Sequence, residues 1–238
     1  MSNSSSSIVP TSKKSIWKKI RKIILLIVLS QFVCLLICKW LNPPITITQL
    51  VNAVEGYGLK RDYISYDEMG RNIKLAVMAS EDQLFPDHNG FDLTAIKKAV
   101  KYNKKHPNKT RGASTISQQT AKNVFLWQHG GFFRKGLEVY FTFLIECVWT
   151  KKQILERYLN VIEMGEGVFG VQAAAQYYFH KDASALSRRE AALIAACLPN
   201  PKKFRAVPAG KYVSARANFI TRQMSNLEGD EDIKELLK

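Results

Sequence analysis

The chain has 238 residues, of which 46% are hydrophobic and 11% aromatic, and this composition is typical of a globular core rather than of a disordered or fibrous protein. The formal net charge is +15 at pH 7. A charge of this sign attracts polyanions, so it allows a nucleic acid, an anionic membrane surface or a diphosphate-bearing substrate as partner. The four cysteines lack zinc-ligand spacing, which excludes a structural zinc site. We expect buried free thiols and leave the pairing of Cys147 with Cys197 open.

The first 22 residues are rich in Ser, Asn and Lys and contain no acid, and they are predicted to form a disordered basic tail. An uncharged run then extends from Ile23 to Cys38. As a helix it is about 24 Å long, somewhat short of a hydrocarbon core of about 30 Å. Flanking Lys and Arg side chains and Trp40 can reach the interfaces, so residues 23–41 are predicted to form a transmembrane helix.

A cleavable signal peptide and a buried core helix compete with this interpretation. No Ala-x-Ala pattern follows the run, which disfavours cleavage. The basic cluster before the run and Pro43-Pro44 after it are unusual for a core helix. We therefore expect an uncleaved anchor with its basic end in the cytoplasm and residues 42–238 on the other side of the membrane.

The next segment, residues 43–70, connects the anchor to the rest of the chain. Alternation over 45–48 predicts a short strand, and the two glycines within 55–58 predict a turn. The apolar run 73–79 predicts a helix that ends near two adjacent carboxylates, Glu81 and Asp82.

These two carboxylates lie where a helix dipole disfavours negative charge, which indicates a task other than helix stability. A carboxyl held against an apolar wall has a raised pKa and can act as a general base, and Phe85 is the candidate wall. His88 and Asp92 are candidates for positioning the turn. The alternative is that Asp82 and His88 are structural groups and Glu81 is a solvated surface acid.

A polar segment, 112–123, follows the lysine-rich helix predicted over 93–105 and a loop around Pro107, Asn108 and Gly112. Ser114, Gln118 and Lys122 recur every four residues, so they are predicted to share one face of a helix that starts near Ser114. Free backbone N–H groups, amides and a lysine suit an anion such as phosphate. An ordinary capped surface helix is the alternative.

The remainder of the chain is predicted to be helical. Helices are expected from 134 to 149, from 152 to 161, from 172 to 179, from Ser187 to 198 with a capping box to Glu190, and from 212 to 227. The stretch that begins at Arg134-Lys135 adds two cations and the acid Glu138. No repeat and no alternation of strands with helices is present in the sequence, so the fold is predicted to be mainly α and not a doubly wound sheet.

Four segments in order resemble the motifs of the peptidoglycan glycosyltransferases, glycosyltransferase family 51. They are Glu81-Asp82-x-x-Phe85-x-x-His88-x-Gly90, Gly112-x-Ser114-Thr115-Ile116-x-Gln118-Gln119-x-x-Lys122-Asn123, Arg134-Lys135-x-x-Glu138, and Ile154-Leu155-Glu156-x-Tyr158-Leu159-Asn160. The resemblance runs from about residue 45 to about residue 227 and is to the monofunctional members in particular. It implies a lysozyme-like helical domain with a smaller lobe, near residues 95–135, that dips into the membrane.

The resemblance also implies the chemistry. The substrate would be lipid II and the growing lipid-linked glycan, and Glu81 would be the general base. Glu138 would be a second catalytic acid that assists at the diphosphate directly or through Mg or Mn. The residues expected to bind substrate are Ser114, Thr115, Gln118, Gln119, Lys122, Asn123, Arg134 and Lys135. Asp82, Phe85 and His88 would shape the site. Moenomycin is the donor-site inhibitor of the family, and cell-wall synthesis or division proteins are the class of protein partner it implies.

One departure from the family pattern lies at 128–131, where relatives often carry an additional Arg and this chain has Gln128-His129-Gly130-Gly131. His129 is a candidate substitute. The only Ser-x-x-Lys, at 15–18, lies in the tail, so no transpeptidase activity is expected.

Three other functions compete with glycan polymerisation. A lysozyme-like hydrolase also uses two carboxylates, but it has no diphosphate for the cationic Ser-Gln-Gln-Lys face to hold. A catalytically silent scaffold is disfavoured because both carboxylates and Lys122 are present. Nucleic-acid binding is disfavoured because the anchor would place the basic domain outside the cytoplasm.

Overall fold

The first of two compact units in the computed structural model, residues 1–40, contains helix α1 (Lys13–Trp40). The structure describes residues 13–107 and 111–238, with side chains from residue 15 on. The stretch Ser15–Trp40 is long and apolar enough to cross a membrane by length and composition. The helix begins at Lys13, so residues 13–22, predicted as part of the disordered tail, are helical. The rest of the predicted disordered tail, residues 1–12, lies outside the described residues, as does Asn108 of the predicted loop.

The second unit, residues 41–238, is mainly helical, as predicted. Its helices are α2 (Ile47–Val54), α3 (Arg71–Glu81), α4 (Leu93–Lys105), α5 (Ile116–Phe125), α6 (Gly131–Val148), α7 (Lys151–Val161), α8 (Val171–Phe179), α9 (Arg188–Cys197), α10 (Lys211–Leu227) and α11 (Glu231–Leu236). The sequence analysis did not include α11.

The core of this unit has two centres of helix packing. Helix α9 packs against α3 and α10, and α5 packs against α6 and α7. The apolar face predicted for α7 is confirmed, because Ile154, Leu155, Tyr158 and Leu159 are fully buried. Helices α3, which carries Glu81, and α5, which carries Gln119 and Lys122, are therefore both held by the core.

Capping boxes fix where several helices begin. Ser187 and Glu190 form the predicted box at the start of α9. A second box joins Thr46 and Gln49, and it starts α2 within the segment predicted as a strand. That prediction is wrong because the Thr46 hydroxyl and the Gln49 side chain satisfy the first N–H groups of a helix, which outweighs the β-branched alternation.

A small three-stranded sheet joins distant parts of the second unit. Strand β1 (Lys60–Arg61) pairs in parallel with β3 (Val168–Phe169), and β3 pairs antiparallel with β2 (Glu163–Gly165). Gly167 makes the β2–β3 turn with φ +66°, and a Cβ there would lie 2.1 Å from the Tyr57 carbonyl oxygen. Only glycine fits this close approach.

The cysteines of the second unit are free thiols, so the pairing of Cys147 with Cys197 that the sequence left open is not formed. Cys197 is buried as expected, but Cys147 is exposed. Burial raises the pKa of the Cys197 thiol to about 12, so this group stays protonated at neutral pH.

Candidate functional site

Glu81 is the last residue of α3, and polar groups from three elements surround its carboxylate. Gln119 Nε2 on α5 donates a hydrogen bond to Glu81 Oε2 over 2.9 Å, and the Ser80 hydroxyl donates to Oε1 over 3.0 Å. Arg216 Nη2 on α10 lies 3.9 Å from Oε1. The side chain is 15% exposed. Glu81 is therefore oriented and reachable, which a general base requires.

The apolar wall predicted for Glu81 is not where the sequence analysis placed it. Phe85 is fully buried and contacts the ring of His88 edge-on, with the ring centroids 6.4 Å apart. It does not line the cleft that contains Glu81. Phe85 therefore supports the turn after α3 instead of contacting the base.

Asp82, the residue after Glu81, connects the end of α3 to the start of α5. Its carboxylate accepts hydrogen bonds from His88 Nε2 over 2.9 Å and from the Ile116 backbone N–H over 2.9 Å. Because the Gly90 N–H donates to His88 Nδ1, the ring carries its proton on Nε2. A negative group at the first N–H of a helix also interacts favourably with the helix dipole. Asp82 is thus a structural tie between α3, the turn and α5.

The start of α5 differs from the sequence prediction. Thr115, not Ser114, is the N-cap, and its hydroxyl accepts from the Gln118 N–H while Gln118 Oε1 accepts from the Thr115 N–H. The N–H groups of Ile116 and Gln118 are therefore already paired, so they are not free to bind a phosphate as the sequence analysis predicted. Gln118 is 4% exposed and does not share a face with Ser114.

Asn123 is also used within the protein. It is 1% exposed, donates to the Gln119 carbonyl oxygen over 2.8 Å and accepts from Gln128 Nε2 over 2.9 Å. Gln128 also donates to the Thr48 hydroxyl over 3.1 Å, which ties α2 to the end of α5. Asn123 thus maintains the local fold.

Three predicted site residues meet in one charged cluster on α6. Glu138 is 3% exposed and accepts from Arg134 Nη1 over 2.6 Å and from Lys135 Nζ. Lys135 Nζ also lies 3.5 Å from the hydroxyl of Ser114, which is exposed. Arg134 Nε is buried and has no hydrogen-bond partner among the described residues. Glu138 therefore holds two cations in place, and two positive charges against one negative leave the cluster cationic.

The ammonium of Lys122 interacts electrostatically with this cluster and with Glu81. Burial lowers the pKa of its ammonium, Glu138 and Glu81 raise it, and Arg134 and Lys135 lower it further. Within the described part of the chain the Lys122 ammonium forms no hydrogen bond or ion pair. A cation that is partly desolvated and uncommitted is suited to bind an anionic ligand.

Two clefts meet at Gln119. One, of about 560 Å³, is lined by Glu81, Ser114 and Arg216. The other, of about 530 Å³, is lined by Lys122, His129 and residues of α2. Gln119 and Pro199 line both. Glu81 and Lys122 thus lie in adjoining clefts, with Gln119 in the shared wall.

The residues do not fit a divalent metal at Glu138. Both oxygens of this carboxylate are taken by Arg134 and Lys135. No group of three or more His, Cys, Asp or Glu side chains suited to a metal lies in the described ranges. Mg²⁺ prefers water oxygens and carboxylate oxygens that are not already paired with a cation. The positive charge beside Glu138 is therefore that of Arg134 and Lys135.

Sequence reasoning missed two residues that act on Glu81. Tyr158 is fully buried on α7, and its hydroxyl donates to Gln119 Oε1 over 3.1 Å. The sequence analysis included Tyr158 in the fourth motif and interpreted it only as a core residue. Arg216 lies on α10, far from Glu81 along the chain, and no local pattern distinguishes it from the other cations of a basic helix.

The comparisons with known proteins agree on one family. Residues 48–225 match the family model described as "Transglycosylase". A biosynthetic peptidoglycan transglycosylase of Aeromonas hydrophila is 43% identical over 222 residues, covering 92% of this chain and 94% of the relative. That of Pseudomonas aeruginosa is 45% identical over 224 residues, covering 92% and 96%, and that of Escherichia coli is 54% identical over 174 residues, covering 73% and 72%.

These matches confirm the family resemblance that the four motifs indicated, and the matched residues contain all four motifs. The mainly helical fold is consistent with a transglycosylase domain. The chain therefore belongs to the transglycosylase family of glycosyltransferase enzymes.

Proposed function

We propose that this enzyme is a peptidoglycan glycosyltransferase that polymerises lipid II into glycan strands. The names of the relatives support the substrate class. The observation that carries the proposal is the juxtaposition on α5: Gln119 holds Glu81, and Lys122 follows one turn later beside the charged cluster of α6. A general base and a positively charged site for an anion are thus joined by one turn of α5.

Glu81 acts as the general base in this proposal. Its carboxylate takes the proton from the 4-hydroxyl of the acceptor sugar, and the freed oxygen attacks C1 of the donor sugar. A new C–O bond forms on one face of C1 as the bond to the diphosphate breaks on the other, which inverts the anomeric centre. The polyprenyl diphosphate leaves with the electron pair. General base catalysis of this kind contributes about 10²- to 10⁴-fold.

Lys122, Arg134 and Lys135 stabilise the charge that develops on the diphosphate. Lys122 has no partner to give up among the described residues, and Glu138 fixes the other two cations before substrate arrives. Preorganised charges in a partly desolvated site are worth more than mobile ones in water. Glu138 therefore acts by positioning cations rather than by holding a metal.

The remaining candidate residues divide by exposure. Ser114 is exposed beside Lys135 and can reach the diphosphate, and Gln119 lines both clefts. Thr115, Gln118 and Asn123 are buried and hydrogen-bonded, so we assign them to positioning α5. The site-shaping set, Asp82, Phe85 and His88, fixes the turn that follows the base.

Membrane attachment suits a lipid-linked substrate. The apolar span of α1 begins with basic residues, and the positive-inside rule places that end in the cytoplasm and the catalytic unit on the periplasmic side. Helix α6 starts with Phe132 and Phe133, which are 98% and 74% exposed. Large exposed aromatic side chains of this kind support the proposed membrane-dipping lobe.

Incubation of the detergent-solubilised chain with labelled lipid II tests the proposal. We expect a ladder of polymer on a gel that lysozyme digests and that moenomycin suppresses. Release of polyprenyl diphosphate in step with polymer would support the leaving group.

Two outcomes would overturn the proposal. Cleavage of pre-made glycan without polymerisation would indicate the hydrolase. Absence of any reaction with lipid II that a known transglycosylase consumes would indicate the scaffold.

A further inference from the structure

Glu163 is a half-buried carboxyl group that the proposed mechanism does not use. It is the first residue of β2 and lines the same cleft as Lys122 and Gln119. Within the described ranges it forms no ion pair within 4.0 Å. Burying part of a carboxylate without a counter-ion costs free energy, so its position calls for an explanation.

One backbone donor holds the carboxyl group, and an amide side chain lines the cleft with it. The Gly167 N–H donates to Glu163 Oε1 over 3.1 Å. Asn52 lies on the inner face of α2, is 2% exposed and lines the same cleft as Glu163. Its Oδ1 is buried and has no hydrogen-bond partner among the described residues. A brace for the β2–β3 turn alone would not need a second, unpartnered acceptor in this cleft.

The electrostatic setting limits what Glu163 can bind. Burial raises the pKa of its carboxyl, and the Gly167 hydrogen bond, the charge of Lys202 and the nearby Asn52 side chain lower it. When ionised, this group repels a diphosphate but accepts hydrogen bonds from hydroxyl and amide N–H donors, and a carboxylate has about four acceptor positions. Trp127 in the same cleft offers an apolar face.

These contacts describe a subsite for a neutral, donor-rich ring beside the cationic diphosphate site. Resting on the proposed function, we propose that Glu163 is a sugar-binding residue that accepts hydrogen bonds from hydroxyl or amide groups of the donor glycan, with the Asn52 Oδ1 as a second acceptor in the same cleft. Lys122 then binds the diphosphate of the donor and Glu163 recognises its sugar.

Equilibrium binding to two lipids tests this division of roles. The full chain in detergent, carrying Glu81→Gln so that substrate is not consumed, is titrated with lipid II and with sugar-free polyprenyl diphosphate. Adding Glu163→Gln should weaken lipid II binding about tenfold, the effect of a lost hydrogen bond to a charged group. It should leave the affinity for polyprenyl diphosphate unchanged, whereas Lys122→Ala should weaken both.

Two further variants separate binding from folding. Glu166→Gln is the matched control, because Glu166 is exposed on the same β2–β3 turn and lies 3.9 Å from Arg205, and it should change neither affinity. Asn52→Ala should also weaken lipid II binding selectively, because it removes the unpartnered Oδ1 acceptor from the same cleft. Thermal unfolding midpoints of all variants are compared.

Equal weakening of both lipids by Glu163→Gln would show a general effect of charge or folding and overturn the inference, as would unchanged lipid II binding. If the Glu81→Gln protein binds neither lipid and the unmodified chain makes no polymer, the proposed function itself fails and the inference falls with it.

Discussion

Gln119 fixes the orientation of Glu81 through both ends of its amide. The Nε2 group donates to Glu81 Oε2 over 2.9 Å, while Oε1 accepts from the hydroxyl of the fully buried Tyr158 over 3.1 Å. An ionised carboxylate only accepts hydrogen bonds, so Glu81 requires the Nε2 end of the amide and leaves Oε1 to accept from the Tyr158 hydroxyl. The position of the base thus depends on a core residue of α7 that does not line either cleft.

The first prediction concerns this relay. Tyr158→Phe removes one hydroxyl, leaves Gln119 Oε1 without its donor and should lower kcat about five- to tenfold, the effect of one neutral hydrogen bond. The measurement is the initial rate of polymer formation at saturating lipid II. Tyr178→Phe is the matched control, since Tyr178 is also buried but donates to the Met164 carbonyl oxygen. Equal losses in the two variants would contradict the relay.

The second prediction concerns the base itself. Glu81→Gln should lower kcat by at least about 10²-fold while leaving the thermal midpoint and lipid II binding nearly unchanged, because the amide keeps the shape of the side chain but cannot take a proton. Gel analysis of labelled products measures the effect. Glu231→Gln, at an 85% exposed side chain, serves as control. Substantial residual polymerisation would remove Glu81 from the role of base.

The third prediction concerns pH and Lys122. Since burial lowers the pKa of this ammonium, its charge is lost at a lower pH than that of an ordinary lysine, and donor binding should weaken as pH rises through that value. Lys122→Arg keeps its charge and should move the alkaline limb of kcat/KM to higher pH. An unchanged alkaline limb would mean that another group controls it.

The free energy of unfolding should rise with pH over the range in which donor binding weakens, which provides an independent test. The unfolded chain binds a proton at Lys122 more tightly than the folded chain, so the penalty for the buried charge is fully present below the lowered pKa. It is relieved as pH rises from that value towards the ordinary pKa of lysine. The pH dependence of the free energy of unfolding, compared between the unmodified chain and Lys122→Met, isolates this contribution. A rise in stability that is identical in both proteins would contradict it.

The fourth prediction concerns Asp82, whose side chain is 3% exposed. Asp82→Ala removes the acceptor for both His88 and the Ile116 N–H and should lower the free energy of unfolding by about 2–4 kcal/mol. Denaturant unfolding measures this change. Asp62→Asn, at an exposed position, should have little effect. A loss of activity without a loss of stability would instead show that Asp82 takes part in the reaction.

Local patterns predicted most helices, because an apolar stripe requires burial whatever it packs against. The bounds of α4 and the capping box of Ser187 with Glu190 were correct as predicted. The strand predicted at 45–48 failed because β-branched residues also occur beside a helix cap. The three short strands were not predicted, since two- and three-residue strands carry too little periodicity to be distinguished from turns.

For the candidate site, too, the sequence predicted the residues better than their arrangement. Glu81, Gln119, Lys122, Arg134, Lys135 and Glu138 were named from the order of the motifs, and the structure brings them together. The interpretation of Ser114, Gln118 and Lys122 as one helical face was wrong for Ser114, because Thr115 is the N-cap of α5 and Ser114 precedes the helix. Gln118 is used in the capping box with Thr115.

The sequence by itself determined the helical class, the apolar anchor segment and the set of chemical groups, because composition, periodicity and motif order are properties of the chain. Only the tertiary structure decided which of those groups remain available. Asp82, Gln118 and Asn123 are committed to hydrogen bonds, whereas Lys122 is left without a partner among the described residues. Hydrogen bonds and charges between residues far apart in sequence depend on packing, which no local pattern encodes.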